Sequence, residues 1–377
     1  MKWSEGLRIP PRRAFAPERH SDLIRYLLAV VMALLAGCLL FIQQGENPIH
    51  ATMVMFQGGL ATITNIGTSI RWATPCMLAG AAVIIAFRSN FLNMGVEGQV
   101  YMGALAAGLV GSRLALPHIP HVLACMLAAG LAGALYALLP ALLRLYFNIN
   151  ELVVTIMLNF IAKLFTYYYV YWILMGGVLS STGSAAVKTD SIAETAQLTP
   201  LIKGTTASTA FLFAILLLLG IHFVYKHTVV GYEAIQLGQN IEYARAGGVN
   251  VVKRFFQIFL CSGFVAGLCG GMEVCGSYHY FLANFSANMG WEAIMVSNAA
   301  ANNPIALMII SCIWGVMKSG SLQLERVTSL SRYTVNIIQM LFILFVAVDY
   351  VELYRRFQTR ARLRREIKQA GKEGSAQ

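Results

Sequence analysis

The chain has 377 residues, 57% hydrophobic and 12% charged, where a soluble globular chain carries roughly 25% charged residues. That balance excludes a water-soluble fold at this length and leaves an integral membrane protein. The net charge of +11 does not point to nucleic acid, because it is gathered at the two ends. Lys2, Arg8, Arg12, Arg13, Arg19 and Arg25 lie before or at the start of the first apolar run; Arg355, Arg356, Arg360, Arg362, Arg364, Arg365 and Lys368 follow the last. Basic residues flanking spans mark the cytoplasmic side and attract anionic lipid headgroups. Both termini are therefore expected in the cytoplasm, with an even number of crossings. A basic tail, 1–22, precedes the membrane region 23–350, and a second, 351–377, follows it.

The first apolar run, 23–42, contains Leu35-Ala36-Gly37-Cys38, which has the look of a lipoprotein cleavage site. The run continues through Leu39-Leu40-Phe41-Ile42, where a processed lipoprotein would turn polar, so an uncleaved first helix is expected. Residues 51–70 are only mildly apolar, with Thr52, Gln57, Thr62, Thr64 and Asn65, and suit an interfacial helix. Further spans are expected at 72–88, 93–115, 121–143, 151–176, 208–225, 254–277, 291–301, 304–319 and 333–350. With the first this gives an all-α helix bundle of about ten transmembrane helices, eight if the weak segments are discounted. The segment 291–301 is too short to cross ~30 Å at 1.5 Å per residue, and reads as a half-helix or re-entrant piece. Alternation places loop 177–207 on the periplasmic side and loop 227–253, with Arg245 and Lys253, in the cytoplasm.

Three polar stretches interrupt this pattern. Residues 91–99 read FLNMGVEGQ and place Asn93, Glu97 and Gln99 among two glycines at a helix start, where backbone can meet a ligand or a neighbouring helix. Glu151, Thr155, Asn159 and Lys163 recur every four residues and so share one helix face. An ionisable group inside a bilayer costs at least ~2.5 kcal/mol, so such a face is turned to a wet path or to other helices. Two readings stand: a solute path, or interhelical hydrogen bonding. Glu273 is a candidate partner for Lys163. Tyr167, Tyr168, Tyr169, Tyr171 and Trp172 suit an interfacial belt, or rings stacking on a planar solute. The third stretch, 231–254, reads GYEAIQLGQNIEYARAGGVNVVKR. Residues 239–246 form a short expected helix, N-capped by Asn240 and stopped at Gly247 or Gly248.

No nucleotide-binding loop, HExxH or GxSxG motif is present, and no catalytic or metal site is expected. The histidines are scattered, and none of the seven cysteines sits in a CxxC. A faint internal echo links AGLAGAL at 129–135 with AGLCGGM at 266–272. It is either a trace of repetition or two small-residue packing faces.

NMGVEGQ at 93–99, NELVVTIMLNF at 150–160, LGQNIEYARAGGVNVVKR at 237–254 and SGFVAGLCGGMEVCG at 262–276, in this order, resemble the membrane permease of bacterial ABC importers. The branch is that of nucleoside and simple-sugar uptake, related to ribose and branched-chain amino acid permeases, and the resemblance runs from about residue 60 to 350. It implies a multi-pass protein of the bacterial cytoplasmic (inner) membrane that is not itself an enzyme. Residues 237–254 resemble the coupling segment that docks on a cytoplasmic ABC ATPase, with Gly238, Asn240, Ala244, Arg245, Gly248 and Asn250 at its characteristic positions. ATP and Mg would be held by that partner, with no cofactor on this chain. A second permease subunit, identical or paralogous, and an extracytoplasmic substrate-binding lipoprotein are the other implied partners. Two departures stand out: Ile235-Gln236 replaces a common Arg-Ala pair, and NAAANN at 298–303 is less glycine-rich than the pattern. The expected function is import of a small polar solute, a nucleoside first, by a path through Asn93, Glu97, Gln99, Glu151, Thr155 and Asn159. The alternatives are a simple sugar, a riboflavin-like solute, or an ion-coupled carrier using Glu97, Glu151 and Lys163.

Overall fold

Asparagine and threonine side chains start most of these helices. Thr62, Asn150, Thr228, Asn240, Asn250 and Asn303 each accept a hydrogen bond from a first-turn N–H, satisfying donors that a helix start leaves open. The computed structural model describes residues 31–32, 35–177, 186–286, 288–328, 337–341 and 344–345, and between residues 48 and 327 these hold eleven α-helices. They are α1 (Pro48–Leu60), α2 (Ile63–Phe87), α3 (Val96–Arg113), α4 (His118–Phe147), α5 (Glu151–Tyr168), α6 (Ala210–His227), α7 (Val229–Gln239), α8 (Ile241–Ala246), α9 (Val251–Glu273), α10 (Met289–Ala299) and α11 (Pro304–Val327). Helices α5 and α9 widen into π turns at Tyr169–Leu174 and Val274–Tyr278. The only strand-like pairings described are two isolated bridges, Lys188 with Leu282 and Pro200 with Ser208.

The chain divides into two units, Met1–Pro48 with Arg332–Gln377, and Ile49–Ser331. Within the first, residues 35–43 are helical, and Gly37 lies in van der Waals reach of Ile338. The remainder of the expected spans 23–42 and 333–350, and both basic tails, lie outside the described residues.

In the larger unit α9 is the axis. It packs on α4, α3 and α2, while α10 and α11 cover α2 and α5 covers α3. Lipid gives no hydrophobic drive for helices to associate, so close backbone approach must supply it. Gly267 provides that approach on two sides. A Cβ there would collide with the backbone of Ala129 on α4, and Gly103 on α3 has Gly267 as its own nearest neighbour. The two echoing segments, 129–135 and 266–272, thus lie against each other through their small residues. On the other side, Gly315 of α11 fits over Ser69 and Ala73 of α2, and the Ser319 Oγ of α11 donates to the Gly58 carbonyl at 2.9 Å.

Among the described residues six helices are long and apolar enough to cross a membrane: Ile63–Phe87, His118–Phe147, Glu151–Leu174, Ala210–His227, Val251–Tyr278 and Pro304–Val327. Helix α10, with 11 residues, is short as expected of 291–301. Several boundaries differ from the sequence expectation. Residues 51–70 are not one helix, because Thr62 accepts from the Asn65 N–H at 3.1 Å and starts α2 there. The spans expected at 72–88 and 304–319 are longer, since α2 begins at Ile63 and α11 runs to Val327, carrying polar residues at their ends. Loop 177–207, from residue 186 onward, is structured. Thr189, Ile192 and Leu198 donate backbone N–H groups to Phe281, His279 and Cys275 at 2.8–2.9 Å, fixing the segment over the end of α9.

Candidate functional site

Residues 88–95 form no helix, and Asn93 holds the turn together. Its Nδ2 donates to Gln99 Oε1 at 3.1 Å and to Ser262 Oγ at 2.8 Å; its Oδ1 accepts from Gly95 N at 3.0 Å and from Gln99 Nε2 at 3.1 Å. Ser262 in turn donates to the Ala82 carbonyl at 2.7 Å. A fully buried amide pair thereby ties the start of α3 to α9 and α2. From the opposite side Asn159 of α5 reaches the same turn. Its Oδ1 accepts from Gly98 N and its Nδ2 donates to the Met94 carbonyl, both at 2.8 Å. Thr155 donates to the Glu151 carbonyl of its own helix at 2.7 Å and packs against Gly95. The structure therefore brings Asn93, Gln99, Thr155 and Asn159 into one buried polar girdle around the start of α3.

Glu97 joins this girdle to α10. Its Oε1 accepts from Ser286 Oγ and its Oε2 from Gly290 N, each at 2.5 Å. Met289 N donates to the same Ser286 hydroxyl at 3.2 Å. A carboxylate at a helix start satisfies open N–H groups and complements the positive end of the helix dipole. Gly290 permits the contact, because a Cβ there would stand 2.6 Å from Glu97 N. Glu151 lies apart from the girdle, in an ion pair with Arg144 Nε at 3.1 Å across the α4–α5 turn.

The expected Lys163–Glu273 pair does not form. Lys163 is exposed, and Glu273 Oε2 accepts instead from Arg71 Nη2 at 2.9 Å, with side chains only 4% and 8% exposed. Depth decides this: α9 carries Glu273 into the core beside α2, while α5 presents Lys163 outward. A second pair lies nearby, Lys318 with Glu292, and Trp314 Nε1 donates to the other Glu292 oxygen at 3.2 Å. Arg71 Cζ stands 4.2 Å from the Trp72 ring centroid and Lys318 Nζ 5.4 Å from it. Sequence reading named Glu273 but missed Arg71, Trp72, Glu292, Trp314 and Lys318, because the short apolar windows put Trp72 and Lys318 at span ends. A charged residue inside a longer helical run was the available signal. No cluster of His, Cys, Asp and Glu suited to a metal is found among the described residues.

The polar segment after α6 holds two helices, not one. α7 was hidden by its glycines. α8 is the expected short helix, begun by Asn240 Oδ1, which accepts from Glu242 N and Tyr243 N at 2.9 and 3.1 Å. Gly248, at φ +85°, turns the chain back, and Asn250 Oδ1 accepts from Lys253 N at 3.0 Å to start α9. Ala244 is buried, and Arg245 pairs with Glu242 at 3.1 Å on the exposed side. Gly238 lies directly on the Arg88 carbonyl at the end of α2, and Tyr225 of α6 donates to the Ile85 carbonyl at 2.8 Å. Glu233 pairs with Arg254, linking α7 to α9. That hydrogen bond holds the Glu233 carboxyl below the usual carboxylate range.

Residues 65–347 match the family described as branched-chain amino acid transport system / permease component. The chain is 30% identical to the guanosine ABC transporter permease protein NupP of Bacillus subtilis, over 88% of this chain and 95% of that protein. It is 29% identical to the glucose ABC transporter permease protein TsgB13 of Haloferax volcanii, over 88% of each. It is 22% identical to the nucleoside ABC transporter permease protein NupB of Lactococcus lactis, over 86% of this chain and 90% of that protein. No solved structure gives a significant match.

Proposed function

The chain belongs to the branched-chain amino acid transport system permease family, as a multi-pass membrane permease and not an enzyme, and from that premise we propose that it forms a nucleoside path driven by a separate ABC ATPase. The observation that carries the coupling half of this reading is the seat of Gly238 on the Arg88 carbonyl. Through it the exposed α7–α8 elbow bears directly on α2. A partner that displaces α8 displaces α2 without an intervening flexible loop. The named solutes of two relatives, guanosine and nucleosides, support the solute half.

In this reading Gly238, Asn240, Ala244, Arg245, Gly248 and Asn250 form the lever, with Arg245 on the face offered to the ATPase. Asn93, Glu97, Gln99, Thr155 and Asn159 form the seat on which α3, α5, α9 and α10 bear. They hold the helices that enclose the path, while Glu151 anchors the start of α5. A second permease copy or paralogue and an external binding protein complete the assembly. ATP binding biases the permease only as far as the ATPase states differ in affinity for its two conformations. Glucose is the second reading, favoured by the Haloferax volcanii relative.

Vesicle uptake tests both halves. Permease, ATPase and binding protein are reconstituted together, and labelled guanosine and glucose are offered with internal or external ATP and a protonophore. Guanosine uptake is expected to require ATP and to survive the protonophore. Uphill uptake without the ATPase, or uptake of glucose alone, overturns the reading.

A further inference from the structure

The pairs Arg71–Glu273 and Lys318–Glu292 lie on four elements: α2, the end of α9, α10 and α11. Four ionisable groups within a membrane bundle are a heavy concentration, and such groups by default mark a functional site. Their arrangement narrows the ligand. Each cation already has a carboxylate, so the cluster is electrically balanced and offers no net attraction to a phosphate or a free carboxylate. Aromatic faces lie alongside: the Arg71 guanidinium is 4.2 Å from the centroid of Trp72 and 5.3 Å from that of Tyr278. Lys318 Nζ is 5.4 and 5.9 Å from the centroids of Trp72 and Trp314.

One donor in this cluster has no acceptor. Among the described residues Arg71 Nη1 is buried and makes no hydrogen bond, on a side chain only 8% exposed. An unmet guanidinium donor in a low-dielectric interior is costly. The rim of the cluster is accessible, since Trp72 is half-buried and the Lys318 and Glu292 side chains are 18% and 20% exposed. Arg71 lies eight residues beyond Ile63, or about 12 Å along α2 at 1.5 Å per residue, toward the end remote from α7 and α8.

We infer that the Arg71–Trp72–Lys318–Glu292 cluster is the solute-recognition site, and that it takes an uncharged purine nucleoside in preference to a nucleotide or a hexose. This rests on the nucleoside reading above and sharpens it. The base stacks on Trp72; a ring-edge acceptor such as O6 or N7 of guanine takes the unmet Arg71 Nη1 donor, since Nη2 is held by Glu273; and the Glu292 carboxylate accepts from ring or exocyclic N–H groups. A hexose lacks the planar face, and a nucleotide brings two negative charges to a site whose cations are already balanced.

The test uses the full importer in vesicles. Wild type is compared with Trp72→Leu and Trp72→Phe for uptake of guanosine, guanosine monophosphate and glucose, with basal ATP hydrolysis as the check on assembly. Wild type is expected to import guanosine and to discriminate against the other two. Trp72→Leu is expected to lose about tenfold in guanosine uptake, the scale of one lost base–aromatic stack, and Trp72→Phe to keep most of it. Photolabelling of the unmodified complex with 8-azidoguanosine provides a readout independent of substitution, and its label is expected on peptides of α2, α10 or α11. Unchanged guanosine uptake in Trp72→Leu, an equal loss in Trp72→Phe, or label confined to other peptides overturns the inference and leaves the nucleoside reading standing. A wild type that imports glucose and not guanosine overturns that reading as well.

Discussion

Glu97 ties the start of α3 to the start of α10 through Ser286 and Gly290. Its sequence context showed an acid at a glycine-rich helix start. Its partners, Ser286 and Gly290, lie 189 and 193 positions away, and no local pattern announces them. Hydrogen bonds to a charged group contribute ~1.5–3 kcal/mol each, so Glu97→Ala is expected to lower the melting temperature of detergent-purified permease by several degrees. Glu97→Gln, which keeps one acceptor and its volume, is expected to lose less; equal melting of wild type and Glu97→Ala would contradict the helix-seating role. The Arg71–Glu273 pair obeys a different rule. Removing one partner of a buried pair costs ~3–5 kcal/mol, whereas replacing both with apolar residues is often neutral. Glu273→Ala is therefore expected to destabilise the purified chain more than Arg71→Met combined with Glu273→Met, read by thermal unfolding. Glu233 behaves differently again, because its carboxyl is held low by Arg254. Stabilisation from a lowered carboxylate is present above its unfolded value of about 4.3 and fades only as pH falls through the lower folded value. ATP-driven uptake is thus expected to show no inflection from this pair between pH 8 and pH 5.

The helices themselves were largely readable, because an apolar run of span length has few alternatives in sequence. Their starts were readable where asparagine or threonine capped them, as at Asn240. α7 was not, since its sequence, VVGYEAIQLGQ, carries two glycines and is too short and too polar to read as a span. Those glycines reflect packing rather than a loop: Gly231 lies on the backbone of Val224 and Tyr225, and Gly238 on that of Arg88. Neither partner is visible from composition. Gly238→Val would force α7 off the end of α2. This substitution is expected to cut ATP-driven uptake at least about tenfold, as uncoupling of an indispensable step should, while basal hydrolysis by the ATPase persists. Full uptake in Gly238→Val would remove the Gly238–Arg88 contact from the coupling route.

At the scale of the molecule, one helix joins the two regions that matter. α2 meets Gly238 at Arg88 and carries Arg71 and Trp72 in its other half. Sequence motifs marked the coupling segment and the girdle, but not the helix between lever and recognition cluster, because α2 reads as an ordinary apolar run. Its one irregular feature is Pro75, buried inside the helix. Proline has no N–H to donate to the carbonyl four residues earlier, and that carbonyl belongs to Arg71. The helix is thus weakened just where the buried ion pair is held, and a push at Arg88 can bend α2 there instead of shifting it whole. Pro75→Ala restores the missing donor and stiffens this point. It is expected to raise the melting temperature of the permease by a few degrees and to leave 8-azidoguanosine labelling in place. ATP-driven guanosine uptake, in contrast, is expected to fall severalfold, because a rigid α2 passes between its two arrangements less readily. A variant as stable as wild type that imports guanosine at the full rate would mean that α2 moves as a single rod and that the bend at Arg71 has no part in transport.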